Sequence, residues 1–440
     1  MKKGPFVILL TSVLLICLGW PGKTGAQAPP PDDGVTLLFL LKPGADMTRV
    51  ANIISGVNGT VVKSTTIQAT GQQVLKVRVP SGTSADAQNS IKAMADTNIT
   101  GVERNYYLRL QNLGYGKKDQ EQGMETCSPN DPDYPQQWAL PDLHFPEALC
   151  RARPDRIPAM TYIDSGVNPV YPFELVLVQQ FNFADDAGGV REYPFDADTN
   201  NNEYHGTGTS GTGAATTNDH EFIAGIASAG TPVFLTMLRV ADPPGTTITV
   251  ADVVDAVTWC IDHQRERGGP GPINMSINSA PPYTINSSSV FQGLAQSLQA
   301  QGDLLVNGAG NTGTEDASPE QYIRRVAGID ENNQLASFSV FGPFYAAAPA
   351  VNILVFGAPT NGFGLPSLVY VNGTSQAGPY WAGSIAFLMA DCPGQKLNAV
   401  QADAIIFNTA TVTNPTGPLN LQYNIPNLKS ALDYCNGLQK

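Results

Sequence analysis

The chain has few charged residues, and acidic residues outnumber basic ones. Only 14% of its 440 residues are charged, with 25 Lys and Arg against 38 Asp and Glu, for a formal net charge of −13. A protein with an excess of acidic residues is a poor partner for nucleic acid or an anionic membrane, so neither is predicted. With 42% hydrophobic residues, 43 Gly and 34 Pro, the composition is typical of a loop-rich globular protein.

Long hydrophobic runs are also scarce, and the one that stands out is at the N-terminus. Lys2 and Lys3 precede the apolar run 6–20, which is short for a membrane span. The small residues 26–28, Ala-Gln-Ala, then match a signal peptidase site. We therefore predict a signal peptide over residues 1–28, a secreted protein (extracellular or periplasmic), and no membrane contact after signal removal.

Cysteines are few and lack the spacing of a zinc site, since no CxxC or Cys/His pattern occurs. Loss of Cys17 with the signal peptide leaves five: Cys127, Cys150, Cys260, Cys392 and Cys435. An odd number in an exported chain leaves at least one cysteine outside intramolecular disulfides. We predict that the first two pair with each other, that the last two pair likewise, and that Cys260 is a buried thiol in an apolar helical stretch.

Residues 29–113 are predicted to form a small α+β domain. Strands are expected at 37–41, 61–65, 73–79 and 102–110, and helices at 46–57 and 84–95, the second opened by a Ser84 cap. The order β-α-β-β-α-β is that of a ferredoxin-like domain. The polar segment 114–126 that follows is predicted to be an exposed linker, a usual site of proteolytic cleavage.

From residue 127 to residue 440, short strands alternate with helices. Strands are expected at 160–164, 233–240, 273–276 and 304–306, and helices run from the Thr249 cap to 261 and from 290 to 298. This alternation predicts an α/β domain with a mostly parallel sheet and helices on both faces. Functional residues are then expected at the carboxyl ends of the strands.

Four polar residues lie where such a fold would place a functional site. Asp164 ends a strand in Thr-Tyr-Ile-Asp-Ser-Gly-Val, and Asn311 follows a strand in Val-Asn-Gly-Ala-Gly-Asn. His205 opens a run of small residues that would let a helix pack closely. Ser375, in Asn-Gly-Thr-Ser-Gln-Ala-Gly-Pro, begins a predicted helix with Pro379 in its first turn, so its hydroxyl would lie near the positive end of the helix dipole.

Two common hydrolase motifs are missing. His220 is followed by Glu221, but the second histidine of the metalloprotease motif H-E-x-x-H is absent. Ser375 stands in G-x-S-x-x-G, which differs from the G-x-S-x-G turn of α/β-hydrolases.

Taken together, the four segments resemble the subtilisin-type serine proteases, whose motifs read close to V-I-D-S-G-V, H-G-T-x-x-x-G, A-A-G-N and N-G-T-S-M-A-x-P. The matches occur in the family's order along the chain, and supporting similarity extends from residue 130 to about residue 410. The resemblance implies a subtilisin-like fold and a serine endopeptidase that acts on proteins or peptides and needs no cofactor for its chemistry.

The resemblance also implies roles for individual residues. Asp164, His205 and Ser375 would form the catalytic triad, with Asn311 in the oxyanion hole and Thr374 in support. The residues implied to bind substrate are Ser276, Asn278, Gly308 and Gly310. The N-terminal domain is similar to the family's prodomain, which implies an intramolecular inhibitor that is cut away somewhere between Gln111 and Glu125.

Two histidines compete for the catalytic position, because both precede stretches rich in Ala and Gly. In the family, the catalytic histidine is followed by a helix, a loop and a strand similar to residues 236–240. His205 leaves room for all three, whereas His220 leaves almost none for the helix. We therefore favour His205.

Departures from the family pattern leave two further questions. Asn278 and Ser279 stand where the family often has two glycines beside the substrate, so a preference for large apolar side chains is in doubt. Residues 196–200, Asp-Ala-Asp-Thr-Asn, offer oxygen ligands for a structural calcium ion but lack the Gly and terminal Glu of an EF-hand loop, which favours a solvated acidic loop. An inactive member of the fold that binds peptides or a partner is the alternative function, although no catalytic group is missing.

Overall fold

The computed structural model describes residues 32–110, 127–168, 174–184, 191–192, 196, 204–242, 247–279, 284–358, 367–392 and 394–437. The predicted signal peptide and the predicted linker at 114–126 lie outside these residues. In the part of the chain that is described, no helix is both long and apolar enough to cross a membrane.

The N-terminal domain has the predicted order of elements. It consists of β1 (Asp32–Leu41), α1 (Met47–Gly56), β2 (Thr60–Thr66), β3 (Gln73–Arg78), α2 (Ser84–Met94) and β4 (Ile99–Leu110). The strands pair antiparallel in the order β4-β1-β3-β2, and one face packs on both helices through residues such as Phe39, Val50 and Ile91. The predicted Ser84 cap is wrong: Thr83 is the residue before α2, and Ser84 is buried in its first turn.

The larger domain begins after Cys127 and alternates strands with helices. Its elements are α3 (Ala139–Asp142), α4 (Phe145–Leu149), β5 (Ala159–Asp164), β6 (Leu177–Asn182), β7 (Arg191–Glu192), α5 (His205–Ala214), β8 (Phe234–Arg239), β9 (Ile248–Thr249), α6 (Val250–Asp262), β10 (Pro272–Met275), β11 (Ile277–Asn278), α7 (Ser289–Ala300), β12 (Leu304–Gly308), β13 (Ile323–Ile329), β14 (Ala346–Pro349), β15 (Ile353–Gly357), β16 (Ser367–Val371), α8 (Thr374–Asp391), α9 (Ala399–Thr409), β17 (Thr411–Val412), β18 (Asn424–Ile425) and α10 (Leu428–Gly437).

A mostly parallel sheet forms the centre of this domain, as predicted. Its strand order is β17-β18-β14-β13-β12-β10-β5-β8-β6-β7, and every neighbouring pair is parallel except the two at the edges. Helices cover both faces, so consecutive residues of β5 such as Tyr162 and Ile163 are buried in two different apolar clusters. Because the strands are parallel, their carboxyl ends meet at one edge of the sheet, where Asp164 ends β5.

The three predictions for the described cysteines are confirmed. Cys127 is bonded to Cys150, and Cys392 to Cys435. Cys260 is a buried thiol on α6, and burial raises its pKa to about 12. The thiolate is therefore suppressed at neutral pH, which indicates a packing role.

Candidate active site

Three of the predicted residues lie at the ends of elements that meet. Asp164 is the last residue of β5, His205 the first of α5 and Ser375 the second of α8. The small residues of α5 make this approach possible: a Cβ atom added to Gly206 would lie 2.2 Å from the Gly166 carbonyl oxygen. A helix with larger side chains in its first turn could not come so close to the end of β5.

The side chains of these residues form one hydrogen-bonded row. His205 Nδ1 lies 2.7 Å from Asp164 Oδ1, and His205 Nε2 lies 2.9 Å from Ser375 Oγ. All three residues are buried, with at most 1% of their surface exposed. His220, the competing histidine, is exposed and hydrogen-bonded to Asn130.

The buried Asp164 carboxylate has further donors that the sequence analysis missed. Its Oδ1 atom accepts a hydrogen bond from the Ser165 backbone N–H at 2.7 Å, and its Oδ2 atom accepts one from Thr209 Oγ1 at 3.0 Å. A buried charge needs such partners, because an unsatisfied carboxylate is costly in the interior. Thr209 could have been found from its spacing, since it lies four residues after His205 on the same helix face.

Asn311 is held beside the start of α8. Its Oδ1 atom accepts hydrogen bonds from the Thr374 backbone N–H at 2.9 Å and from Thr374 Oγ1 at 3.0 Å. The Thr374 hydroxyl in turn accepts a hydrogen bond from Gly310 N at 3.0 Å. These bonds fix the orientation of the amide, with Oδ1 directed at Thr374, the residue before Ser375.

Pro379 does not lie in the first turn of its helix, because α8 begins at Thr374 and Pro379 is therefore its sixth residue. A proline there has no N–H to donate to the carbonyl of residue 375, four positions earlier. Ser276 Oγ donates to that Ser375 carbonyl instead, at 2.9 Å. The proline thus leaves room for a contact that joins the start of α8 to the segment between β10 and β11.

The predicted substrate-binding residues lie around the same edge. Gly308 is tightly packed, because a Cβ atom there would come within 2.6 Å of the Thr374 carbonyl oxygen. Gly310 has a φ of +118°, which favours glycine. Asn278 is only 2% exposed, and its Nδ2 atom donates to the Ala309 carbonyl at 3.2 Å. Its side chain therefore connects β11 to the segment that leads to Asn311.

A strand of the N-terminal domain reaches this edge of the sheet. The end of β4 pairs antiparallel with β9 on one side, with Tyr107 opposite Thr249, and with β11 on the other, with Leu110 opposite Ile277. Strand β11 begins one residue after Ser276, which contacts Ser375. The last residues of β4 therefore approach the row formed by Asp164, His205 and Ser375.

In the described residues no group of three or more His, Cys, Asp or Glu side chains is arranged to hold a metal ion. Asp196 is the first residue of the acidic segment 196–200, which was weighed as a calcium site. Its carboxylate oxygens accept hydrogen bonds from Ser165 and Thr207, and residues 197–200 lie outside the description. Glu174 is another buried carboxylate, 1% exposed, and its oxygens receive no well-formed hydrogen bond from the described residues.

Glu174 gives a prediction about stability. Burial, followed by the nearby Asp219 and Asp131 carboxylates, raises the pKa of Glu174 from 4.5 to about 9. The folded state therefore keeps a proton that the unfolded state releases, so the free energy of unfolding falls as the pH rises from about 4.5 to about 9. We expect Glu174→Gln to remove this loss, which is about 1.4 kcal/mol for each pH unit above 4.5, and to stabilise the protein by up to about 5 kcal/mol at pH 8.

The measurement is denaturant unfolding of both proteins between pH 5 and pH 9 in EDTA, on a Ser375→Ala background that prevents self-digestion. A variant less stable than its parent at pH 8 in EDTA would contradict the prediction.

Comparison with known proteins identifies the family. Residues 159–424 match the Subtilase family of peptidases. A thermostable alkaline protease of Halalkalibacterium halodurans is 30% identical over 219 residues, which cover 49% of this chain and 55% of the relative. The halolysin-like extracellular serine protease Nep of Natrialba magadii is 30% identical over 278 residues, which cover 60% of this chain and 46% of the relative.

Solved structures show the same fold. Fervidolysin from Fervidobacterium pennivorans, a keratinolytic enzyme related to subtilisin, superposes with a TM-score of 0.67 at 20% identity, over 93% of this chain and 62% of that one. A protease from Pseudoalteromonas arctica superposes with a TM-score of 0.58 at 22% identity, over 70% of this chain and 99% of that one.

The family match covers more than half of the chain, so the protein belongs to the subtilase family. The chain spans 55% and 46% of the length of the two curated relatives named above.

Proposed function

We propose that this protein is a serine endopeptidase that hydrolyses protein or peptide substrates through an acyl-enzyme on Ser375. The observation that carries the proposal is the buried row in which His205 bridges Asp164 and Ser375 at 2.7 and 2.9 Å. A nucleophile, a base within hydrogen-bond reach and a third group that orients the base are the parts that acyl transfer requires.

The chemistry follows from the positions of the atoms. Ser375 Oγ attacks the carbonyl carbon of the scissile bond while His205 Nε2 takes the hydroxyl proton. The imidazolium then gives that proton to the leaving amine, and the peptide C–N bond breaks. Asp164 holds the proton on Nδ1 and stabilises the charged ring. In the second half of the cycle, water is deprotonated by His205 and hydrolyses the ester, which restores the Ser375 hydroxyl.

The negative charge that develops on the carbonyl oxygen needs donors. Ser375 is the second residue of α8, and N–H groups at that end of a helix have no intrahelical acceptor. The Ser375 N–H and Asn311 Nδ2 are the donors that we assign to the oxyanion, and Thr374 supports the Asn311 amide. Preorganised donors of this kind stabilise the transition state more than the ground state.

We also propose that the N-terminal domain is an intramolecular inhibitor. The end of β4 occupies the space between β9 and β11 as a peptide strand would. Glu103 supports this docking: its carboxylate accepts hydrogen bonds from Ser288 Oγ at 2.5 Å and from the Val290 backbone N–H at 3.3 Å, at the start of α7. A carboxylate at a helix N-terminus is stabilised by the helix dipole.

Substitution of Glu103 tests this inhibitory role. We expect Glu103→Gln to weaken the docking of the domain by about tenfold, because a charge-assisted hydrogen bond contributes about 1.5–3 kcal/mol. The measurement is the residual inhibition of casein hydrolysis after chain cleavage, with Asp86→Asn, an exposed carboxylate on α2, as the matched control. Equal inhibition in the two variants would contradict the role of Glu103.

The proposal includes export and processing. Two disulfides in the described chain fit an oxidising compartment. The relative from Natrialba magadii is named as extracellular. We propose that the signal peptide at 1–28 directs secretion, and that the chain is then cut between Gln111 and Glu125.

The function is tested on the secreted precursor. We expect it to lose roughly a hundred residues, the size of one small domain, then to digest casein and to be labelled at Ser375 by a fluorophosphonate. Peptide mass spectrometry identifies the labelled residue and the new N-terminus. A folded precursor that stays at full length, digests nothing and takes no label would instead show an inactive, peptide-binding member of the fold.

A further inference from the structure

A second buried carboxylate lies behind the row of catalytic side chains. Asp196 is 4% exposed, and its Oδ1 atom accepts a hydrogen bond from Ser165 Oγ at 2.6 Å. Its Oδ2 atom accepts two from Thr207, one from the backbone N–H at 2.9 Å and one from Oγ1 at 2.7 Å. The proposed mechanism gives this carboxylate no chemical step.

The partners of Asp196 belong to the two segments that carry Asp164 and His205. Ser165 directly follows Asp164, and its backbone N–H donates to Asp164 Oδ1 at 2.7 Å. The Ser165 hydroxyl accepts a hydrogen bond from Gly206 N at 2.8 Å, next to His205. Through these bonds one carboxylate joins the end of β5 to the first turn of α5.

The contacts also place a negative charge at the N-terminus of α5. This helix is ten residues long and begins at His205, and its first N–H groups point at Ser165 and Asp196. Thr207 is held from a second side, since its hydroxyl accepts a hydrogen bond from Asn168 N at 2.9 Å. The first turn of α5, which carries His205, is therefore held by the Ser165 and Asp196 side chains and by the Asn168 backbone N–H.

We propose that Asp196 is a positioning residue for catalysis, which holds His205 against Asp164 and stabilises its charged form during the reaction. This inference rests on the function proposed above and adds a residue to it. Asp196 touches no reacting atom; it acts through Ser165, Gly206 and Thr207. The sequence favoured a solvated acidic loop over residues 196–200, and at Asp196 that prediction is wrong, because its side chain is buried.

The expected size of the effect follows from geometry. A displacement of about 1 Å in a catalytic group can cost on the order of a hundredfold in rate. Asp196→Asn keeps the shape of the side chain but has only one acceptor oxygen, so it cannot serve both Ser165 and Thr207 as the carboxylate does. We expect kcat to fall by about 10- to 100-fold while KM changes little, because no contact to substrate is removed.

The pH profile separates this role from a purely structural one. Among the described residues, the charged groups that face the His205 segment are Asp164 from β5 and Asp196, while α8 contributes the neutral Ser375. Removal of one nearby negative charge destabilises the imidazolium. The apparent pKa that governs the acidic side of the pH profile of kcat should therefore fall by about half a unit to one unit in Asp196→Asn.

Asp391→Asn is the matched control. Asp391 is also a buried aspartate, 1% exposed, but it is the last residue of α8, sixteen positions after Ser375 and about 24 Å along the helix. The same chemical change at Asp391 should leave kcat, KM and the acidic side of the pH profile of kcat unaltered. Each variant is purified after processing, its active sites are counted with a fluorophosphonate, and casein and peptide hydrolysis are followed from pH 5 to pH 10.

The outcomes are distinct. If wild type neither loses its N-terminal domain nor hydrolyses casein, the proposed function itself is overturned. If wild type is active and Asp196→Asn has the same kcat and the same pH dependence of kcat on the acidic side, the role of Asp196 is overturned while the proposed function stands. If Asp196→Asn does not fold, Ser165→Ala removes the hydroxyl link to Gly206 and should lower kcat in the same direction; unchanged kcat in that variant would also overturn the role.

Discussion

The Ser375→Ala precursor is expected to remain at full length and to lose about 10⁶-fold in kcat, the loss found when the serine or histidine is removed from subtilisin, another member of the family. The residue supplies the nucleophile that attacks the peptide bond in the proposed mechanism, and His205 Nε2 lies 2.9 Å from its hydroxyl. His205→Ala should cost about as much, because without the base the hydroxyl cannot be activated.

The chain offers its own control for the histidine. His220 lies on the exposed segment after α5 and bonds to Asn130, so His220→Ala should process and digest casein as wild type does. Chain size on a gel and casein hydrolysis measure all three variants. The Ser375→Ala, His205→Ala double variant should be no slower than either single variant, since the two groups act as a unit. Full activity in His205→Ala would show that the base is elsewhere.

Asn311→Ala is expected to lower kcat by about 10²- to 10³-fold with little change in KM, because its amide is assigned to charge that develops only in the transition state. The magnitude comes from removal of the oxyanion-hole asparagine of subtilisin. The two hydrogen bonds from Thr374 to Asn311 Oδ1 keep the donor end in place. Thr374→Val removes one of them and should therefore give a smaller loss.

Peptide hydrolysis under saturating and limiting substrate separates kcat from KM. Asn332→Ala, the same change at an exposed turn after β13, controls for the loss of an asparagine side chain. If Asn311→Ala instead raised KM and left kcat intact, the amide would bind substrate without stabilising the oxyanion.

The sequence predicted the local elements well, because the signals for them lie within a few residues. The capping box that opens α6 was readable from Thr249 and Asp252, and both side chains make the expected bonds. The periodicity of apolar residues and the positions of turn-forming residues predicted the order β-α-β-β-α-β and the parallel sheet. They also placed Asp164, His205 and Ser375 at the ends of a strand and two helices, where the structure has them.

Other features depend on residues that are distant in sequence, and no local pattern encodes their approach. Asp196 was predicted to be part of an acidic loop, yet its carboxylate lies between Ser165 and Thr207, on segments 31 and 11 residues away. Pro379 was expected in the first turn of α8, but its place decides which group donates to the Ser375 carbonyl.

The amino-acid sequence alone therefore determined the elements and their order, because helix caps, turns and apolar periodicity act over short distances. The candidate residues came from the resemblance of their motifs to those of the subtilisin-type proteases. The tertiary structure decided how the N-terminal domain uses its last strand, which enters between β9 and β11. It also decided which of several acidic side chains are buried and what they bond. Those outcomes depend on the packing of whole segments against one another, where burial and hydrogen-bond satisfaction override local preference.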